Sequence, residues 1–230
     1  MSQTLSSVIA ALLFAVCASL TVPVQAQNIN NNVATMTRNL TGTWSTGSGA
    51  VLTGVNFYNP VDRSFTLPLT AGESYSFTSD GFWEQASVKW ISNPSEPDCP
   101  TLHAIWQHGT YQIYPSNNTV HLEPFWGDGH QYMSAYCSTP NSQKLASSGP
   151  STLGTWMGVS DKSDGTLAAY NQMEEFRLPT FDIDLHYGVP FDVLFLQIPS
   201  GKRKNRLYKY LDPPQMLPTE QLHVEVYGAM

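Results

Sequence analysis

Between residues 82 and 90 the character of the side chains alternates at every step. Phe82, Ala86, Val88 and Trp90 fall on one face, with Glu84 among them, and Trp83, Gln85, Ser87 and Lys89 fall on the other. A period of two belongs to a β-strand and is incompatible with a helix over the same residues. Asp80-Gly81 just before this run is a hairpin signal, which pairs it with Tyr75-Ser76-Phe77. The pattern continues downstream. Leu102, Ala104 and Trp106 alternate; a turn at His108-Gly109 precedes Tyr111 and Ile113; Val120 and Leu122 follow a turn at Asn117; Asp128-Gly129 introduces residues 131–136. After a Ser-, Pro-, Asn- and Gly-rich stretch at 138–151, Phe181, Ile183 and Leu185 alternate again. Residues 191–198 are almost continuously apolar, as in a strand buried on both faces, and 207–211 and 222–227 close the set. The one helix candidate is 167–176.

Serial short strands with tight turns imply an all-β fold, either a single antiparallel β-barrel or a barrel-like sandwich, because closure removes exposed strand edges. Gly42-Thr43-Trp44 at the start of the domain favours a lipocalin-like barrel with an indole plugging one end, and Gly154-Thr155-Trp156 repeats the triplet. With 230 residues, 41% of them hydrophobic, the chain supports one sizeable core. We expect a single domain over 39–228 with a flexible loop at 138–151, preceded by a disordered, Asn-rich lead-in at 27–38.

Residues 1–26 have the form of a signal peptide: an apolar stretch at 8–20, then Val24-Gln25-Ala26 with small residues placed for cleavage after Ala26. Cleavage there removes Cys17 and leaves Cys99 and Cys137, which in an oxidising compartment allow one pairing. Such a disulfide closes a loop of about 37 residues and stabilises by roughly 4 kcal/mol; the alternative is two buried free thiols. Asn39-Leu40-Thr41 and Asn117-Asn118-Thr119 are glycosylation sequons, whereas Asn93-Pro94-Ser95 is spoiled by its proline.

The charge balance excludes several functions. Charged residues are 13% of the chain and its net charge is −7, which disfavours nucleic acid and anionic membranes as partners. No nucleophile elbow, phosphate loop or dinucleotide fingerprint is present. Glu84, on an apolar face, requires a raised pKa or a cationic partner, and it is the candidate acid for glycan chemistry; a wet position at a pore mouth explains it without catalysis. Asp182 and Asp184 share a strand face. His103, His108, His121 and His130, with Asp128, match no zinc spacing. We assign no catalytic residue, no metal and no cofactor. The basic run Lys202-Arg203-Lys204 with Arg206 reads as a solvated loop between two strands, with an acidic-partner contact or a dibasic protease site as its sharper alternatives. Trp83, Trp106 and Trp126 serve either the core or an aromatic binding surface.

Six stretches occur in order: Leu-Thr-Gly-Thr-Trp-Ser (40–45), Thr-Gly-x-x-Phe-Tyr-x-Pro-Val-Asp (53–62), Ser-Tyr-Ser-Phe-Thr-x-Asp-Gly (74–81), Ser-Asn-Pro (92–94) with Cys99-Pro100, Gln-His-Gly-Thr-Tyr (107–111) and Pro-Pro-x-Met-Leu-Pro-Thr (213–219). Together they resemble the fungal "reversal of Tor lethality" family, over about residues 38–225. The resemblance implies a non-enzymatic chaperone on the lumenal side of the endoplasmic reticulum, required for normal cell-wall β-1,6-glucan. Its partners would be unfolded or nascent secretory proteins and other lumenal chaperones. The positions of Cys99 and Cys137 fit the family's paired cysteines. Members usually end in a hydrophobic membrane anchor, which is not seen before Met230. The other functions that the residues allow are a lipid- or glycan-binding barrel module and a glycan-processing enzyme.

Overall fold

The computed structural model describes residues 24–138, 159–161 and 166–223, with side chains from residue 32 onward except at 137–138 and 159–161. The leader up to residue 23, nearly all of the 138–151 loop, the second Gly-Thr-Trp and residues 224–228 lie outside the described residues.

Among the described residues one helix, α1 (Val24–Leu40), precedes fourteen strands: β1 (Gly42–Ser45), β2 (Tyr58–Asn59), β3 (Ser64–Phe65), β4 (Gly72–Phe77), β5 (Phe82–Ile91), β6 (Thr101–Tyr114), β7 (Thr119–Pro124), β8 (His130–Ser138), β9 (Val159–Asp161), β10 (Thr166–Ala169), β11 (Glu174–Arg177), β12 (Thr180–His186), β13 (Val189–Phe195) and β14 (Leu207–Leu211). The all-β expectation holds. Every described strand pair is antiparallel.

The main sheet runs β10-β8-β6-β5-β4-β1-β14-β13-β12 and is open at both ends, so the expected closed barrel is not formed. The sheet instead curls around a first core. Leu122 and Phe176 from one side of it meet Leu194, Leu196 and Leu207 from the other, over Trp44, Tyr75, Phe77 and Trp83. At the seam, Arg177 N donates to Gln197 O at 2.7 Å without a strand ladder. Side chains close the interior where backbone pairing does not.

A second core covers the opposite face. Ala86 and Val88 of β5 and Leu102, Ala104 and Trp106 of β6 pack under Val51, Phe57, Tyr58 and Leu217, which belong to the chain before β4 and the tail after β14. Tyr58 stacks on Trp106 with ring centroids 4.1 Å apart. The alternation at 82–90 is therefore real, yet both of its faces are buried over residues 83–88.

Three sequence expectations are corrected. Residues 27–38 lie within α1 rather than in a disordered lead-in. The last turn of α1 is held by Thr41, whose Oγ1 and backbone N both donate to Thr37 O at 2.8 and 3.0 Å. Leu40 is buried, and its carbonyl accepts a 2.7 Å bond from the Trp44 indole. These are tertiary supports that a polar composition does not reveal. Residues 167–176 form β10 and β11 instead of a helix. His108-Gly109 is not a turn: β6 runs straight through it. At this point β6 changes partner, pairing with β8 over its first half and β7 over its second. Glycine is needed there for space, since a Cβ at Gly109 would lie 1.9 Å from Glu123 O. Gly42, the first residue of β1, makes a further demand, with φ of 133° and Leu211 O 2.9 Å from where a Cβ would sit.

Trp44 anchors both the first core and the end of α1. Trp44→Ala is expected to destabilise the protein by about 3–5 kcal/mol, read from the urea midpoint at unchanged slope. A loss near zero would show that the indole is not a core anchor.

Candidate functional site

The motifs that carry the family resemblance come together at one buried junction. Thr43, Thr53 and Ser76 point their hydroxyls at the carbonyl of Gln215, at 3.3, 2.7 and 2.7 Å. The Gln215 N–H returns a 2.7 Å bond to Thr43 Oγ1. Glu84, fully buried, completes the junction. Its Oε1 accepts from Gly54 N at 2.6 Å and from the Trp106 indole at 3.0 Å, and its Oε2 accepts from Leu217 N at 2.5 Å. Burial pushes this carboxyl up, while the Leu217 and Gly54 amides and the indole pull it back. All three partners are donors, so the carboxylate is held as a structural acceptor. The candidate glycan acid is thus occupied in binding its own chain.

Asp128 performs the same task one step along the tail. It accepts from His108 Nε2 and Leu222 N, both at 2.7 Å, and from His223 N at 2.5 Å. Burial alone would raise its pKa; the His108, Leu222 and His223 hydrogen bonds outweigh burial and hold the carboxyl below its ordinary value. The fold brings His108 and His130 to Asp128 and adds His223, with Tyr58 Oη 2.8 Å from His130 Nδ1. His103 and His121 lie apart, bonded to Gln131 and Thr119. Among the described residues no group of His, Cys, Asp and Glu is arranged to hold a metal ion.

Within the curl of the sheet, the apolar core gives way to a polar layer with no sequence signature. Tyr75 Oη donates to Glu73 and Glu174 at 3.1 and 2.7 Å, and Gln85 Nε2 reaches Tyr75 Oη at 2.7 Å. Lys204 enters from the β13–β14 loop, 2.7 Å from Glu73 and 3.6 Å from Glu174, and also contacts Tyr75 Oη. Burial would raise the Glu73 carboxyl, but the Lys204 ammonium holds it below its usual range. These residues come from four separate segments, so no local spacing announces them.

The candidate contact surface is the β12–β13 hairpin. Phe181 and Leu194, which face each other across it, enter the first core. Beyond them the hairpin continues with its apolar side chains uncovered: Ile183 is 68% exposed, Leu185 69%, Tyr187 83% and Val189 53%. Ile183 and Leu185 share one face with Pro190. Among the described residues β12 pairs only with β13, which makes it the sheet edge. Its outer amides are not bare: Asp182 and Asp184 each accept, through Oδ1, the N–H of the next residue at 2.8 Å. Carboxylates on an edge oppose the addition of a further strand, so the hairpin offers side chains rather than a backbone template.

The remaining sequence candidates fall elsewhere. Trp83 and Trp106 are core residues, while Trp126 is exposed. Asn39 and Asn117 are exposed, Asn117 in the β6–β7 turn. No described helix is long and apolar enough to cross a membrane.

A family model described as Rot1, a fungal chaperone for protein-folding within the ER, matches residues 40–228. Protein rot1 of Aspergillus niger is 36% identical over 184 residues, covering 80% of this chain and 67% of that protein. Protein ROT1 of Yarrowia lipolytica is 36% identical over 184 residues, covering 80% and 64%, and protein ROT1 of Saccharomyces cerevisiae is 37% identical over 182 residues, covering 79% and 61%. The matched part therefore spans between 61% and 67% of these relatives. No solved structure matches the chain. These matches define a class of protein, fungal chaperones for protein-folding within the endoplasmic reticulum. The chain belongs to the Rot1 family, the one its ordered motifs resemble.

Two predictions follow from the stitching. Glu84→Gln turns an amide N–H₂ toward a backbone N–H and should cost about 1–3 kcal/mol, with faster hydrogen exchange at Gly54 or Leu217; unchanged exchange at both would contradict the anchor. The depressed Asp128 carboxyl contributes stability above its unfolded pKa of about 3.9 and loses it as pH falls through the lower folded value. Thermal melts of wild type and Asp128→Asn should differ at neutral pH and converge in acid, and parallel curves would remove Asp128 from the acid limb.

Proposed function

We propose that this chain is a non-enzymatic chaperone of the fungal endoplasmic reticulum, which holds unfolded or nascent secretory proteins against the β12–β13 hairpin. The observation that carries this reading is the run of four large apolar side chains, Ile183, Leu185, Tyr187 and Val189, uncovered together on one hairpin. An extended client places apolar residues on these side chains, while Asp182 and Asp184 discourage it from joining the sheet. Contact of this kind is reversible, as release of a folding client requires. The family description supports the endoplasmic reticulum as the site of action. A role in cell-wall β-1,6-glucan assembly follows if wall-building enzymes are among the clients, and other lumenal chaperones would receive what is released.

Further parts of the reading fit the same compartment. Cys99 is disulfide-bonded. The register that pairs Thr101 with Ala135, extended through the 2.9 Å bond from Tyr136 N to Pro100 O, sets Cys99 opposite Cys137, which supports that pairing. Exposure of Asn39 and Asn117 supports glycosylation at either sequon. Cleavage after Ala26 and a lumenal location complete the proposal; a membrane anchor remains a trait of the family. Glycan processing loses its sequence candidate because all of Glu84's bonds serve the fold.

The test is suppression of aggregation of a chemically denatured substrate by the purified protein. Wild type should suppress light scattering at stoichiometric ratios. The double variant Ile183→Asp with Leu185→Asp should lose most of that effect while stability changes by no more than about 0.5 kcal/mol per exposed site. Equal suppression by the variant would move the client surface elsewhere, and no suppression by wild type would end the direct holding role.

A further inference from the structure

The basic run in the β13–β14 loop does not simply project into solvent. Two adjoining hollows, of about 340 and 550 Å³, open beside it and share Glu73, Lys89 and Asn205 in their walls. Their combined lining includes Lys89, Lys202, Arg203, Lys204 and Arg206, five of the eleven Lys and Arg in a chain of net charge −7. Lys204 is committed to Glu73 and Glu174, and Arg206 to Asp184. Lys89, Lys202 and Arg203 have no carboxylate within ion-pair distance among the described residues. Set against Glu73, Glu174 and Asp184, the five cations leave an excess of two positive charges at the groove.

The loop that carries them is tied down. Ile198 N donates to Lys202 O at 3.0 Å, Lys204 N donates to Leu196 O at 2.8 Å, and Gln197 and Arg203 form an antiparallel bridge. The cations therefore stand on a backbone that is ordered before any ligand arrives, which lowers the entropy cost of binding. Hollows of this size suit a small molecule rather than a protein surface. Asn205 supplies an amide, and His186 stacked on Tyr208, with centroids 4.1 Å apart, supplies a flat wall.

We propose that this groove is a binding site for a small soluble oxyanion of the phosphate class, held by Lys89, Lys202 and Arg203. The site is separate from the apolar residues of the client hairpin and does not depend on them. Lys89, Lys202 and Arg203 line one hollow, where like charges repel, and a dianion removes that repulsion. Binding weakens with salt, because the cations are exposed and screened.

Titration calorimetry of the full chain at low salt, with pyrophosphate and with glucose 6-phosphate as probes, tests the site. Wild type should bind at least one probe saturably with one equivalent. The double variant Lys202→Gln with Arg203→Gln, both at exposed positions, should weaken that affinity tenfold or more with an unchanged melting temperature. Arg63→Gln, which removes a positive charge elsewhere, should leave it unchanged. Absence of saturable binding to both probes would overturn the proposal, and so would an equal loss in Arg63→Gln. Binding confined to phosphatidic acid vesicles, or to an acidic peptide such as poly-glutamate, would also overturn it, by assigning the cations to a lipid surface or a protein partner.

Discussion

A carboxylate shut away from water must be surrounded by donors, and the whole of one face of this protein is organised around that requirement at Glu84. Its two oxygens take N–H groups from Gly54, Trp106 and Leu217, which belong to the chain before β4, to β6 and to the tail after β14. A single carboxyl group in the middle of β5 thereby fixes two long irregular segments onto the sheet. Asp128 repeats the device for Leu222 and His223. The second core under Tyr58, Phe57 and Leu217 exists because these segments are held down. Apolar burial supplies most of the driving force, and the buried carboxylates select which segment is covered and in what register.

The two faces of the sheet consequently do different work. The face under the irregular segments is closed, and its buried carboxyl groups, Glu84 and Asp128, are bonded by the chain itself. The other face curls around Trp44, Trp83 and Phe176, then turns polar toward Glu73, Glu174 and Lys204, and ends at a groove lined with cations. The β12–β13 hairpin leaves the body at the sheet edge, where its inner residues, Phe181 and Leu194, are buried and its outer ones are not.

Much of the fold was legible because strand periodicity is local. The hairpin at Asp80-Gly81, the strands around Val120 and Phe181, and the 207–211 strand all stand where alternation and turn residues place them. The failures share a cause. His108-Gly109 looks like a turn because histidine and glycine often make one, yet the glycine is there to let Glu123 O approach. Residues 167–176 carry a faint helical spacing that pairing with β8 and β7 overrides. The polar stretch before Leu40 is helical, and Thr41 and Trp44 hold its last turn. Closure of the barrel was inferred from the need to hide edges; the protein instead guards its β12 edge with Asp182 and Asp184.

The all-β character, the family and the anomalous position of Glu84 on an apolar face were determined by the sequence alone, because each is a property of neighbours along the chain. What Glu84 does was decided only in three dimensions. Its spacing suggested an acid catalyst or a wet edge residue, and its role as an anchor emerges only from the donors of residues 54, 106 and 217 that converge on its oxygens. The gathering of Lys89 with the 202–206 run, and the exposure of Ile183 and Leu185 beyond the reach of the core, are likewise distances between remote segments. Such distances are set by how the sheet curls, and no local pattern of residues encodes that curvature.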